Sequence, residues 1–261
     1  MASVSALYVY PIKACRGVRV AEWPVVERGF DADRRWMIVD HAGHFVTQRD
    51  ESRLALVKTA FAGDALRLEA PELAPLNLPR RYEVEATRAV RVWQDDGVGC
   101  PHPEGSAWFS EFLGAPHELV YMPDSQRRYV NPERARPTDI VSFADGYPFL
   151  LISEASLQDL NARLATPVPM ERFRPNIVIS GTQPFAEDDF AQLRLGDISF
   201  RGVKRCDRCT VTTIDIETGE RSKEPLRTLA SFRLSDSKVW FGMNLIHDGP
   251  GVLRVGDAVH V

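Results

Sequence analysis

Two cysteines, Cys206 and Cys209, lie three positions apart in the segment KRCDRC, which covers residues 204–209. Positive charge beside a cysteine favours its thiolate, which is the form that attacks electrophiles and binds soft metals. The residue types and their spacing therefore predict that at least one of these two thiols is chemically unusual.

Four interpretations of this pair remain open from the pattern alone. A closed zinc site needs four ligands, but the other cysteines, Cys15 and Cys100, are isolated and no second pair stands at ligand spacing. A redox dithiol requires a helix after the pair, whereas residues 210–216 are typical of a strand. A cofactor metal held by one thiolate suits the adjacent arginines, which can bind an anionic organic group. Two inert cysteines packed between strands are the structural alternative.

Two other segments contain candidate anion ligands. The segment YPIKACRG at 10–17 is a strand end followed by a loop with two cations and a glycine, whose backbone N–H groups could cradle an anion. The segment RFRPN at 172–176 places two cations and an amide around a stiff corner. A solvated loop is the alternative for each segment. The chain contains no Walker loop, nucleophile elbow, HExxH motif or dinucleotide fingerprint.

Size and charge restrict the class of protein. The chain has 261 residues, of which 44% are hydrophobic, so it can bury a sizeable core. Its 32 basic and 36 acidic residues give a net charge of −4. This balance argues against a nucleic-acid-binding protein and against a protein that binds anionic membranes, because both need a basic surplus.

The expected compartment is the cytoplasm. The N-terminus lacks the basic leader of a signal peptide, and no segment approaches the ~20 apolar residues of a membrane span. The chain has four cysteines, too few for a disulfide scaffold of this length. We therefore expect free thiols and no membrane span.

Short β-branched and aromatic runs dominate the first part of the chain. They predict strands at 4–9, 18–26, 36–40, 44–48, 66–69 and 82–93. Turn signals predict a hairpin at 40–43 and a Pro-rich connecting loop at 71–79. A short helix is expected at 106–113, with Gly114 ending it.

The second part of the chain is also predicted to be mostly β. A long surface loop or domain junction is expected at 122–146, and Ser153 is expected to cap a helix whose Leu157, Leu160 and Leu164 share a face. Another helix is expected at 225–232. The predicted strands are 149–152, 176–180, 193–195, 198–200, 210–216, 239–246, 252–255 and 258–261. No internal repeat is visible.

Several ordered segments together resemble one family. They are YPIKACRG, DADRRWMIVD, FRPNIVISG, AEDDF, CDRCTVTTIDIETGE, FGMN and the closing VGDAVHV. In order and spacing they are similar to MOSC proteins with the N-terminal β-barrel extension, including the mitochondrial amidoxime-reducing component and its bacterial relatives. The resemblance implies a mainly β (α+β) fold with a barrel-like core and a few short helices. It also implies an N-terminal β-barrel-like domain at 1–121 and a MOSC domain at 122–261.

The resemblance implies a molybdenum cofactor, Mo-molybdopterin, held through the second cysteine of the pair, Cys209, while Cys206 is not expected to bind the metal. It places Lys13 and Ala14 at the pterin phosphate, although many members have serine at position 14, so a hydroxyl contact is lost. Gly146 and Tyr147 depart from the family pattern, which leaves backbone contacts there. The further cofactor-contacting residues implied by the resemblance are Arg34, Arg174, Asn176, Asp207, Arg208 and Asn244.

The implied reaction is the two-electron reduction of small N-hydroxylated compounds such as amidoximes, N-hydroxy bases and hydroxylamines. Asp145 is the expected general acid, on the hypothesis that burial beside the metal raises its pKa. No cysteine follows Cys209, so electrons are expected from a separate donor of the ferredoxin, flavoprotein or cytochrome b5 type. The alternatives are a sulfur carrier with a persulfide on Cys209 and a non-enzymatic molybdopterin carrier.

Overall fold

The computed structural model describes all 261 residues, and most of its regular structure is β. The strands are β1 (Ser3–Val9), β2 (Val18–Val20), β3 (Glu22–Val26), β4 (Gly29–Phe30), β5 (Trp36–Val39), β6 (Lys58–Ala62), β7 (Ala65–Glu69), β8 (Leu76–Pro79), β9 (Arg88–Val92), β10 (Asp95–Pro101), β11 (Glu118–Tyr121), β12 (Phe149–Ser153), β13 (Ile177–Ser180), β14 (Gln192–Leu195), β15 (Ile198–Asp207), β16 (Leu234–Ser235), β17 (Lys238–His247), β18 (Gly251–Arg254) and β19 (Val259–His260). The helices are α1 (Pro103–Leu113), α2 (Glu154–Asn161) and α3 (Leu226–Arg233), with 3₁₀ helices at Ser52–Leu56, Met170–Phe173, Ala186–Asp189 and Thr210–Thr213. The predicted mainly β fold with a few short helices is confirmed.

The largest sheet joins the two ends of the chain. Its strand order is β19-β14-β15-β17-β12-β13-β1-β2, with β16 paired to β17 at one side. Strand β1 pairs antiparallel with β13, and β18 pairs antiparallel with β3. Strands from the start of the sequence therefore complete sheets built from its second half. The domain boundary predicted between residues 121 and 122 stays a prediction.

Three smaller sheets complete the architecture, in the orders β5-β11-β10-β9, β18-β3-β4 and β6-β7-β8. The largest buried apolar cluster contains 19 residues and packs helix α1 against the β5 and β6-β7-β8 sheets around the fully buried Trp36. A second cluster of 17 residues lies between β1, β12, β13, β15 and β17. Burial of each large apolar side chain contributes roughly 1.5–3 kcal/mol to the free energy of unfolding. The two clusters therefore give the loops above them a rigid support.

Two predicted helices are confirmed together with their caps. The Ser153 hydroxyl accepts a hydrogen bond from the Ser156 amide at 3.0 Å and begins α2. Gly114 ends α1 in the left-handed conformation, with φ of 71°. Helix α2 ends at Asn161, so Leu164 lies beyond it, against the expectation that it shares the helical face. None of the helices is long and apolar enough to cross a membrane.

The predicted strand at 210–216 is wrong, because a 3₁₀ helix occupies Thr210–Thr213. The Thr212 hydroxyl donates to the Cys209 carbonyl at 3.0 Å, and the Thr213 hydroxyl donates to the Thr210 carbonyl at 2.7 Å. These local side-chain bonds offer the backbone an alternative to a sheet. The β-branched run thus forms a turn that begins at Cys209.

Other predicted boundaries also differ. Residues 44–48 form only isolated bridges. The Asp40 carboxylate accepts a hydrogen bond from the His44 amide, and the Asp50 carboxylate accepts one from the Thr47 amide. These side-chain bonds give the segment the shape of a loop. The expected loop at 71–79 contains β8, whose alternating Leu76 and Leu78 are buried against β7. The predicted strand at 82–93 shortens to β9, and the one at 18–26 is interrupted between β2 and β3.

Candidate functional site

A cleft with a volume of about 160 Å³ opens between strand ends of the large sheet and the loops beside them. It is lined by every residue that sequence analysis assigned to the site: Lys13, Ala14, Arg34, Asp145, Gly146, Tyr147, Arg174, Asn176, Asp207, Arg208, Cys209 and Asn244. These residues come from both halves of the chain. The structure therefore brings the predicted set together, while the role of each residue stays a prediction.

Cys209 presents its thiol to this cleft. It is exposed and follows the end of β15, where the chain turns into the 3₁₀ helix. Its sulfur accepts a hydrogen bond from the Arg49 guanidinium at 3.4 Å. Cys15 and Cys100 are buried instead, and burial raises the pKa of Cys15 to about 12. Of the four cysteines, Cys209 is thus the one that a ligand in the cleft can reach most freely.

Arg208 crosses from the cysteine pair to the opposite wall. One guanidinium nitrogen donates to the Cys206 sulfur at 3.0 Å, and another donates to the Phe173 carbonyl at 2.7 Å. Its Nε is buried without a hydrogen-bond partner. A buried donor without a partner costs free energy, and a bound anion at this point would satisfy it.

Two further guanidinium groups, from Arg34 and Arg174, lie over the ring of Tyr10, each 4.4 Å from its centre. The Tyr10 ring is fully buried and holds both cations at one wall of the cleft. Like charges held this close repel each other, and an anion between them relieves the repulsion. The arrangement is that of an anion site.

Backbone strain is concentrated in the same wall. Ala14, Arg34 and Arg174 have positive φ values of 72°, 47° and 57°. A residue other than glycine in this region costs on the order of 1–3 kcal/mol, and such residues cluster at ligand clamps. Sequence gives no signal for this feature, because alanine and arginine do not favour the conformation.

Asp33 is an organising residue that sequence analysis missed. Its buried carboxylate accepts hydrogen bonds from the Tyr10 amide at 2.8 Å, from Arg34 at 2.6 Å and from the Asn176 amide at 3.1 Å. The Asn176 amide oxygen also accepts from Arg34 at 2.9 Å. Both Asn176 polar atoms are thus engaged within the protein and orient Arg34. An acidic residue directly before the Arg34 motif was the available signal.

Lys13 and Asp145 form an ion pair inside the cleft, with 2.5 Å between Nζ and the carboxylate. Lys13 also donates to the Phe143 carbonyl at 2.8 Å. Desolvation raises the pKa of Asp145, but the charge and hydrogen bond of Lys13, together with the charges of Arg49 and Arg34, outweigh it and hold that pKa well below its usual range. The expectation of a raised pKa is therefore wrong, and Asp145 stays ionised at neutral pH. The ionised form argues against the general-acid role expected for Asp145.

Lys13 is the cation of the cleft whose charge depends on pH near neutrality. Burial lowers the pKa of Lys13 to about 8, although Asp145 opposes the change. The folded protein therefore loses this charge as the pH rises through 8, well below the pH at which an exposed lysine would lose it.

We expect anion binding in the cleft to weaken above pH 8 for this reason. Sulfate is a suitable probe because its own charge is constant, and its affinity, measured by calorimetry, should fall about tenfold between pH 7 and 9.5, since a charge-assisted hydrogen bond contributes about 1.5–3 kcal/mol. Lys13→Arg, which keeps its charge, should largely remove the fall. An equal fall in that variant would contradict the assignment.

Family comparisons agree with this geometry. The model of the MOSC N-terminal beta barrel domain matches residues 1–116, and the model of the MOSC domain matches residues 138–260. The human mitochondrial amidoxime-reducing component 1 is 38% identical over 280 residues, which cover 99% of this chain and 82% of that protein. The chain belongs to the MOSC family. The Rattus norvegicus mitochondrial amidoxime reducing component 2 is also 38% identical, over 99% of this chain and 82% of its own. The human mitochondrial amidoxime reducing component 2 is 33% identical, over 99% of this chain and 83% of that protein.

The donor set of this MOSC protein fits a metal carried by an anionic organic group. The cleft offers a soft exposed sulfur at Cys209, and its lining includes the guanidinium groups of Arg34, Arg174 and Arg208, which are hydrogen-bond donors for anions. A soft thiolate suits molybdenum, while guanidinium groups suit phosphate. The partnerless Arg208 Nε is an observation in favour of an anionic occupant.

The cleft lining also includes residues that sequence analysis did not assign to the site, among them Thr47, Gln48, Arg49 and Val211. The Gln48 amide donates to the Ala14 carbonyl at 2.5 Å and fixes the strained turn at that residue. The strand predicted at 44–48 covers the first part of the loop that contains Gln48 and Arg49, and it ends before Arg49. The wrong strand prediction hid the position of this loop at the cleft.

Proposed function

We propose that this MOSC protein is a molybdenum-cofactor oxidoreductase that reduces small N-hydroxylated compounds. The observation that supports this most is the exposed Cys209 thiol in a cleft whose walls hold Arg34, Arg174 and Arg208. The relatives named amidoxime-reducing components support the choice of substrate class. A thiol and an anion site in one cleft are what a phosphopterin-bound metal needs.

The residues divide into two groups around the proposed cofactor. Cys209 would bind molybdenum through its sulfur. Arg34, Arg174 and Arg208 would hold the anionic pterin phosphate. When bound, the cofactor supplies two-electron chemistry that no side chain of this protein can perform. The backbone of Gly146 and the amide of Asn244 also line the cleft.

The side chains have the remaining tasks of orientation and proton delivery. The oxygen that leaves the substrate must be protonated to depart as water. Asp145 cannot supply this proton at neutral pH, because its pKa lies below the usual range. Lys13 Nζ is protonated at neutral pH and has a pKa of about 8, so we assign proton donation to that atom.

Electrons would come from a separate donor protein of the ferredoxin, flavoprotein or cytochrome b5 type. The reaction needs two electrons for each N–O bond, and the described residues offer no second redox centre of their own. We place the reaction in the cytoplasm, where a reducing environment keeps Cys209 as a free thiol.

Turnover of benzamidoxime tests the proposal. Protein produced in a host that makes the molybdenum cofactor should reduce benzamidoxime to benzamidine with reduced methyl viologen as electron donor. A molybdopterin carrier would contain the pterin and show no turnover. A sulfur carrier would show a sulfur adduct on Cys209 by mass spectrometry after incubation with a cysteine desulfurase. Either of these results without turnover would contradict the proposal.

A further inference from the structure

Arg49 differs from the other cations of the cleft in how its side chain is used. It lies between β5 and the 3₁₀ helix Ser52–Leu56, and its Nη1 donates to the Cys209 sulfur at 3.4 Å. This is the one hydrogen bond of its side chain within the protein. A guanidinium carries five N–H donors, so most of those of Arg49 are free beside the sulfur.

The loop holds the Arg49 backbone firmly. The Arg49 amide donates to the Thr47 hydroxyl at 3.1 Å, and that hydroxyl donates to the Asp50 carboxylate at 3.1 Å. Arg221, from the second half of the chain, donates to the Arg49 carbonyl at 2.9 Å. The free guanidinium therefore projects from a fixed backbone.

An aromatic ring supports the guanidinium from the side. The Trp93 ring centre is 4.6 Å from the guanidinium carbon of Arg49. Trp93 occupies the turn between β9 and β10 with φ of 57°, and its ring contacts Phe45 at 5.1 Å. An aromatic support fixes the plane of a guanidinium, which sets the direction of its N–H donors. Trp93 is 43% exposed, and its ring contacts are with Phe45 and the Arg49 guanidinium.

The other cleft cations are engaged elsewhere. Lys13 is paired with Asp145, and Arg34 is paired with Asp33. Arg174 donates to the Cys15 carbonyl at 2.6 Å, and Arg208 donates to the Cys206 sulfur and to the Phe173 carbonyl. Arg49 has no carboxylate partner within 4.0 Å and touches the proposed metal ligand directly. It is the cation best placed to meet a substrate atom beside that ligand.

We propose that Arg49 is a catalytic residue of the reduction, with Trp93 as a positioning residue that acts through it. The inference rests on the proposed function. The free N–H donors of Arg49 hold the hydroxyl oxygen of the substrate next to the Cys209 sulfur. As the N–O bond breaks, two electrons from the donor protein and two protons convert the N-hydroxyl group into N–H and water. Arg49 stabilises the negative charge that develops on the departing oxygen.

Activity measurements on loaded protein test the two roles. Arg49→Gln should lower kcat for benzamidoxime by about 100-fold, because one donor to a developing oxyanion contributes about that much. Its molybdenum and pterin contents should match the wild type. Arg49→Lys should recover part of the loss. Trp93→Leu should lower kcat less than Arg49→Gln, and the double variant should be no worse than Arg49→Gln, since residues that act as one unit are not additive.

The matched control is Arg205→Gln. Arg205 also stacks on a tryptophan, with its guanidinium 5.0 Å from the Trp240 ring, but it does not line the cleft. This variant should keep wild-type kcat. An Arg49→Gln variant with wild-type kcat would overturn the inference, and so would one that loses molybdenum, because Arg49 would then hold the cofactor.

A second readout needs no turnover. In the metal-free protein, Cys209 alkylation is followed by mass spectrometry with iodoacetate, which is anionic, and with iodoacetamide, which is neutral. Arg49 should favour the anionic reagent, so the ratio of the two rates should fall in Arg49→Gln and stay unchanged in Arg205→Gln. An unchanged ratio in Arg49→Gln would overturn the contact. If wild-type protein loaded with molybdenum shows no turnover while this ratio falls as expected, the proposed function fails and the catalytic role fails with it.

Discussion

Cys209→Ala will yield a folded protein that contains no molybdenum and does not reduce benzamidoxime. The exposed thiol makes one hydrogen bond, to Arg49, so its removal should change the free energy of unfolding by no more than ~0.5 kcal/mol. The loss of function should nevertheless be complete, because no other exposed sulfur lines the cleft. Elemental analysis and turnover on the same preparation measure both effects.

Cys206→Ala is the control for that variant. Cys206 lies three residues away in the same cleft, is half-buried and accepts a hydrogen bond from Arg208 at 3.0 Å. Its removal frees one donor of Arg208 and leaves the Cys209 sulfur in place. We expect this variant to keep its molybdenum. Retention of metal by Cys209→Ala together with its loss from Cys206→Ala would reverse the ligand assignment.

Asp33→Asn will lower the free energy of unfolding by about 3–5 kcal/mol, which is the cost of leaving a buried charge without its partner. The affected charge is Arg34, whose side chain is 12% exposed. The amide oxygen of the new side chain can still accept from the Tyr10 and Asn176 amides, which share one carboxylate oxygen, but its NH₂ group then faces the Arg34 guanidinium, which donates to the other oxygen. Urea denaturation monitored by circular dichroism measures the change.

Asp96→Asn provides the matched control for Asp33→Asn. Asp96 pairs with Arg91 at 2.7 Å on the exposed surface of the β9–β10 hairpin. Solvent screens exposed ion pairs, so this substitution should change stability little. If Asp33→Asn has an effect as small as that of Asp96→Asn, the carboxylate does not organise the anion site.

Sequence predicted the strands where apolar residues alternate regularly, as in β7 and β14, and where they form a continuous run, as in β17. It failed at Thr210–Thr213 because a β-branched run is equally compatible with threonine hydroxyls that bond to nearby carbonyls. It failed at β8 because the prolines around it indicated a loop, although Leu76 and Leu78 alternate into the core.

For the site, motif resemblance selected residues that the fold does bring into one cleft. The contacts that organise them were out of reach of sequence patterns, because they join distant positions. Arg49 meets the sulfur of a residue 160 positions away, and Lys13 meets a carboxylate 132 positions away. The contact with Lys13 lowers the pKa of Asp145, whereas sequence analysis expected that pKa to be raised. An argument from local residue types cannot give that result.

X-ray absorption at the molybdenum edge tests the central claim most directly. Wild-type protein from a cofactor-competent host should contain stoichiometric molybdenum, and the metal should show a sulfur neighbour beyond those of the pterin, supplied by residue 209. Cys209→Ser, if it retains any metal, should lack that neighbour. A wild-type spectrum without a protein sulfur, or wild-type protein that never acquires molybdenum, would contradict the account.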